Sequence, residues 1–126
     1  MLHNLLQVAL GGAIGASGRY LVNVSAMRLM GPGFPWATLA VNVAGSFLMG
    51  VLVVVLAHKD GGMRMAPLLM TGMLGGFTTF SAFSLDALTL WERGSHGLAG
   101  FYVVASVLLS LGAIVLALWL TRGIYP

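Results

Sequence analysis

The sequence predicts an all-α integral membrane protein: four transmembrane helices, the third broken near its middle. Three observations carry this. The 126 residues are 59% hydrophobic and only 7% charged, where an ordinary soluble domain has about 25% charged residues; the mean hydropathy is +0.98. The charges leave neutral runs at 29–58, 65–85 and 94–121, and no charged side chain precedes Arg19. Each run can hold the roughly 20 apolar residues that span a bilayer. Finally, residues 71–84 place Gly72, Gly75 and Gly76 and the hydroxyls of Thr71, Thr78, Thr79, Ser81 and Ser84 inside the third apolar span. Glycine in a helix interior costs roughly 0.5–1 kcal/mol relative to alanine, so the cluster with its Thr-Thr predicts a backbone break. At membrane depth a break is tolerated only within protein or beside water. The chain reads as a single domain, 1–126, with short connections.

Helix 1 is expected over about 4–29. Its Gly11-x-x-x-Gly15 face reads as close helix packing and not as a phosphate loop, because no strand precedes it and no lysine follows. The N-terminus lacks a basic region, which predicts a retained helix and not a signal peptide. Arg19 lies far from either end of the helix. A cation at bilayer depth costs at least ~2.5 kcal/mol unless it meets water or a partner, so Arg19 either snorkels or supplies charge to an anion vestibule.

Gly31-Pro32-Gly33-Phe34-Pro35 ends that helix, and Trp36 suits an interfacial anchor. Helix 2, about 36–57, contains Asn42 and, one turn on, Ser46, which share a face with Gly45. Asn42 is either interhelical glue or a pore-lining amide donor. His58-Lys59-Asp60-Gly61-Gly62 is a polar turn.

Helix 3 is expected over about 64–92, interrupted within 71–84. After the interruption Phe80 and Phe83 align at i,i+3 and Ser81 and Ser84 on an adjacent face. Asp86 follows, either as a functional carboxylate or as a structural hydrogen-bonding or ion-paired group. Helix 4, about 98–121, repeats Tyr102, Ser106 and Ser110 at i, i+4 and i+8. That stripe is about 12 Å long at 1.5 Å per residue. Such hydroxyls either bond back to the i−4 carbonyl of their own helix or line a pore.

Several function classes are excluded. There is no cysteine, so thiolate chemistry is absent. Three isolated histidines and three scattered carboxylates offer neither metal-ligand spacing nor an acid/base pair, and no enzyme is expected. The net charge of +3 reflects loop anchors and not a nucleic-acid surface. Lys59, Arg64 and Arg122 fall on one side of the four-span topology and Arg28 and Arg93 on the other. So small a bias predicts insertion in both orientations, which permits an antiparallel homodimer. What the spans enclose is a set of neutral donors and phenyl edges, and a ring edge carries the positive end of the aromatic quadrupole. Such a lining suits a small anion, held well enough to replace hydration and weakly enough to release.

Three motifs carry a resemblance: Gly-Gly-x-x-Gly-Ala-x-x-Arg at 11–19, Thr38-Leu39-x-Val41-Asn42-x-x-Gly45, and Thr71-Gly72-x-x-Gly75-Gly76-x-Thr78-Thr79-Phe80-Ser81-x-Phe83-Ser84. In order and over the length of the chain they resemble the CrcB/Fluc family of fluoride channels. The resemblance implies a multi-pass protein of the cell inner membrane, a dual-topology antiparallel homodimer with two pores that passively export fluoride from the cytoplasm. It also implies a structural sodium ion, not transported, held by backbone carbonyls at positions matching Gly75 and Thr78. Phe80 and Phe83 would then be the pore phenylalanines, Asn42 the pore amide, and Tyr102, Ser106 and Ser110 part of a polar track with Ser81 and Ser84. Arg19 would stand near the entrance. Ala82 stands where the motif usually has Thr, and Asp86 where it usually has Glu. Two other readings compete. A proton-coupled small exporter, of fluoride/proton antiport or multidrug type, wants a central membrane acid, and helix 1 has none. A non-transporting assembly subunit would use its hydroxyls only as interhelical glue.

Overall fold

A computed structural model describes residues 1–125. Its elements are helical: α1 (Leu2–Met30), α2 (Trp36–His58), a third span Gly62–Glu92 made of several pieces, and α5 (His96–Ile124). The third span opens with a 3-10 turn (Gly62–Met65) and a π-helical stretch (Pro67–Leu74), runs on as one α-turn, α3 (Gly75–Phe77), and resumes as α4 (Ser81–Glu92). All four spans are long and apolar enough to cross a bilayer. At 29 residues, α1 and α5 reach about 43 Å at 1.5 Å per residue, beyond the ~30 Å hydrocarbon core.

The turns between spans are tight, and each contains a glycine at positive φ: Gly31, Gly61 and Gly94 at 74°, 67° and 86°. That conformation is costly for residues with a Cβ and free for glycine. Leu5, Leu6, Leu10, Leu108, Leu111 and Trp119 are exposed on the apolar surface, as expected of side chains that face lipid and not water.

The third span breaks inside the expected stretch 71–84, at the threonines and after the glycines. The glycines stay helical: Gly75 has φ −61° and ψ −38°. The backbone leaves the helix at Thr78, which is extended at φ −87° and ψ 161°, and re-enters it at Ser81. The glycines serve close approach. A Cβ on Gly15 would run into the Met73 carbonyl, and one on Gly11 would lie 2.8 Å from the Met73 amide nitrogen. From the other side, a Cβ on Gly76 would lie 2.8 Å from the Gly12 carbonyl oxygen, and one on Gly72 2.9 Å from Gly11 Cα. Two small-residue faces, Gly11/Gly15 and Gly72/Gly76, therefore meet backbone to backbone, which is how helices pack where lipid supplies no hydrophobic drive. Gly50 on α2 plays the same part against Ile114 and Ala117 of α5.

The best-buried cluster lies where α4 meets α5: Leu90, Ala99 and Tyr102, with Phe34, Leu39, Phe83 and Ala87 packed around them. Tyr102 is fully buried at 0% exposure. Its ring meets Phe34 edge to face at 5.5 Å and Phe83 at 5.2 Å, so the phenyl side chain after the break is anchored to α5.

Candidate functional site

Leaving a helix at membrane depth frees backbone polar groups that each need a partner. The structure provides partners side chain by side chain. Asn42 on α2 faces the break and bonds both polar groups of Thr79: its Oδ1 accepts from the Thr79 amide at 2.8 Å and its Nδ2 donates to the Thr79 carbonyl at 2.9 Å. Arg19 Nε, from α1, donates to the Gly76 carbonyl at 3.0 Å. Thr78 Oγ1 donates to Leu74 O at 2.9 Å, and Thr79 Oγ1 accepts from the Ala82 amide at 3.1 Å, capping α4. A Cβ on Gly45 would overlap the Thr78 methyl, so glycine there admits the threonine.

These bonds leave the carbonyls of Gly75, Phe77 and Thr78 without a partner among the described residues. In a continuous helix, Gly75 O would accept from the Thr79 amide and Thr78 O from the Ala82 amide. Asn42 holds the first of those amides and Thr79 Oγ1 the second. Gly75 O and Thr78 O are thus released at the break, as is Phe77 O, which receives no bond from the Ser81 amide; Gly75 is exposed. Carbonyl oxygens are the ligands hard cations take, so the donor set fits a sodium ion. Two oxygens from one chain are fewer than such an ion binds. Among the described residues no cluster of His, Asp and Glu offers another metal site.

Beside the break lies an open groove of about 430 Å³, lined by Asn42, Gly45, Ser46 and Met49 of α2, Thr78 to Phe80 of the break, Phe83 of α4, and Ser106, Val107, Ser110 and Leu111 of α5. It gathers five of the side chains expected from the sequence: Asn42, Phe80, Phe83, Ser106 and Ser110. The two phenyl rings meet edge to face, centroids 5.5 Å apart at 67°. Phe80 is 67% exposed, whereas Phe83 is half-buried. Some hydroxyls on these helices satisfy themselves locally: Ser84, Thr89 and Thr121 bond the i−4 carbonyl at 3.0, 2.8 and 2.6 Å. Ser106 does not. Its Oγ is buried and has no hydrogen-bond partner among the described residues. Asn42 Nδ2 also keeps one N–H beyond the bond to Thr79.

The remaining expected residues lie elsewhere. Ser84 is exposed and bonds its own helix, and Ser81 is exposed and 3.4 Å from Thr79 Oγ1. Tyr102 lies behind Phe83 and donates from its hydroxyl to Asp86 Oδ2 at 3.2 Å, so the partner of Asp86 is a tyrosine on α5 and not an arginine. Asp86 in turn lines a second cavity, about 190 Å³, with Thr38, Thr89 and Arg93 beneath the 31–35 loop. Arg19 borders a separate small cavity of about 30 Å³ with Asn23, Thr38, Thr79 and Ala82. Ser46, Met49, Val107 and Leu111 join the groove without having been singled out as site residues. Ser46 had a signal, its position one turn after Asn42; the others had none, because apolar side chains that line a groove look like those that face lipid.

Four helices able to span a bilayer, one of them broken beside a groove of neutral donors, are the architecture of a multi-pass membrane protein. The model of the family described as CrcB-like protein, Camphor Resistance (CrcB), matches residues 6–118, and the chain belongs to this family. Its relatives include proteins named fluoride-specific ion channel FluC. The one from Cereibacter sphaeroides is 68% identical over 123 residues, covering 98% of each chain. Those from Paracoccus denitrificans, 58% identical and covering 99% of each, and Agrobacterium fabrum, 54% identical and covering 97% of this chain and 98% of its own, bear the same name.

Proposed function

We propose that this protein is a fluoride-selective channel of the cell inner membrane that lets fluoride leave the cytoplasm passively, as the names of its relatives suggest. The observation that carries the reading is the Ser106 hydroxyl, buried without a partner against the groove of Asn42, Phe80, Phe83 and Ser110. A buried hydroxyl with no bond costs roughly 1–3 kcal/mol, and an anion passing along the groove is the partner it lacks. Ser106 O–H and the spare N–H of Asn42 donate to the ion, and phenyl edges face it from Phe80 and Phe83. All are neutral, so the ion is stabilised without being trapped beside a fixed cation.

The functional unit is an antiparallel homodimer with two pores. Gly75 O and Thr78 O would hold a sodium ion at the break, and such an ion would supply a fixed positive charge there. Proton-coupled export is disfavoured, since the single carboxylate well inside a span, Asp86, is hydrogen-bonded to Tyr102. The test is ion efflux from proteoliposomes holding the purified protein. Fluoride should leave rapidly and chloride far more slowly. Equal chloride flux would refute selectivity, absence of flux the channel, and uphill fluoride movement driven by a pH gradient the passive mechanism.

A further inference from the structure

The geometry points to Asn42 and Thr79 as positioning residues that decide which carbonyls of the break stay free, and so set its affinity for a cation. This inference rests on the sodium reading above. Around the break, Leu74 O receives the amide and hydroxyl of Thr78, Gly76 O receives Arg19 Nε, and Thr79 O receives Asn42 Nδ2. Gly75 O and Thr78 O are left free for one reason, that the amide four residues on has been taken by a side chain, whereas Phe77 O is free only because the chain has left the helix before Ser81. Asn42 Oδ1 holds the Thr79 amide at 2.8 Å, and Thr79 Oγ1 holds the Ala82 amide at 3.1 Å.

Neither bond touches the ion site itself. Each removes a competitor, since an amide left without its side-chain acceptor has the helical carbonyl as its nearest alternative, and burial forbids it to stay unpaired. Arg19 has the converse role: by occupying Gly76 O it keeps one of the two carbonyls between the ligands from offering itself. Asn42 thereby has a duty separate from lining the groove, and Thr79 has one although it contributes no side-chain ligand.

The test replaces the two diverting side chains and measures how dimer formation in detergent depends on sodium, with N-methylglucamine as the replacement cation. Thr79→Val removes the Oγ1 acceptor at nearly constant shape, Thr79→Ser restores it, and Asn42→Leu removes the amide clamp. Losing an outer-shell partner typically costs about 10–100-fold in metal affinity, so the sodium midpoint should rise by that factor in T79V and N42L. T79S should keep the wild-type midpoint. If N42L does not fold, the T79V/T79S pair decides. A T79V midpoint equal to wild type overturns the inference, and so does a T79V dimer weakened equally at every sodium concentration, which marks a merely structural role. A wild-type dimer indifferent to sodium refutes the sodium reading instead. The carbonyl assignment is then judged by infrared spectroscopy of an isotope-labelled Gly75 carbonyl, where a helical hydrogen-bonded frequency overturns it.

Discussion

Ser106→Ala should make the protein more stable and the channel slower. Ser106 is 6% exposed, and its hydroxyl has no partner among the described residues. In the absence of the ion that hydroxyl is a liability of about 1–3 kcal/mol, from which alanine is free. Against this stands the small loss of packing where an oxygen was, so the net expectation is a gain of about 1 kcal/mol, or a few degrees in Tm for a chain this size. For the passing ion the sign reverses. A hydrogen bond to a charged group contributes about 1.5–3 kcal/mol, which at 1.36 kcal/mol per decade makes fluoride flux roughly 10- to 150-fold slower. Thermal unfolding in detergent without fluoride and efflux from proteoliposomes read the two halves separately. Ser106→Thr, which keeps the hydroxyl, should lie closer to wild type in flux. A variant both less stable and equally conductive would show that the hydroxyl holds the fold together and never meets the ion.

Other substitutions probe other contacts. Gly15→Ala sets a methyl against the Met73 carbonyl and should destabilise by at least about 1–3 kcal/mol, whereas Gly12→Ala, whose Cβ meets nothing within 4 Å, should be neutral or stabilising; thermal unfolding separates them. Tyr102→Phe leaves Asp86 Oδ2 without its donor and should cost about 1–3 kcal/mol, measured the same way. Phe83→Ile removes the ring that packs on both Phe80 and Tyr102. It should abolish fluoride tolerance in cells lacking other fluoride export while leaving membrane insertion intact; unchanged tolerance would favour the assembly-subunit reading.

Much of this site was legible in the primary structure, and the reason is local. Hydropathy and helical period depend on neighbours a few residues away, so the four spans, the α5 stripe of Tyr102, Ser106 and Ser110, and the alignment of Phe80 with Phe83 could be read directly. The same local logic placed the break within 71–84 but could not say on which residues of that stretch it falls. Gly75 and Gly76 weaken a helix in isolation, yet in the fold they remain helical. The chain opens at Thr78, where partners from α1 and α2 are in place to receive its polar groups.

The sequence by itself determined that a polar, helix-averse segment lies at membrane depth, because composition and spacing are enough to say what lipid will not accept. Only the tertiary structure decided how that segment is satisfied. Asn42 reaches Thr79 across 37 positions of chain and Arg19 reaches Gly76 across 57. Which serines enter the groove and which bond their own helix depends on how each helix is rotated and how closely it approaches its neighbour. Those quantities are set by packing, above all by the Gly11/Gly15 and Gly72/Gly76 contact that draws α1 against the broken span. No periodicity along one helix encodes the distance to another, so the carbonyls left free by the side chains of Asn42 and Thr79 emerged only from the packed structure.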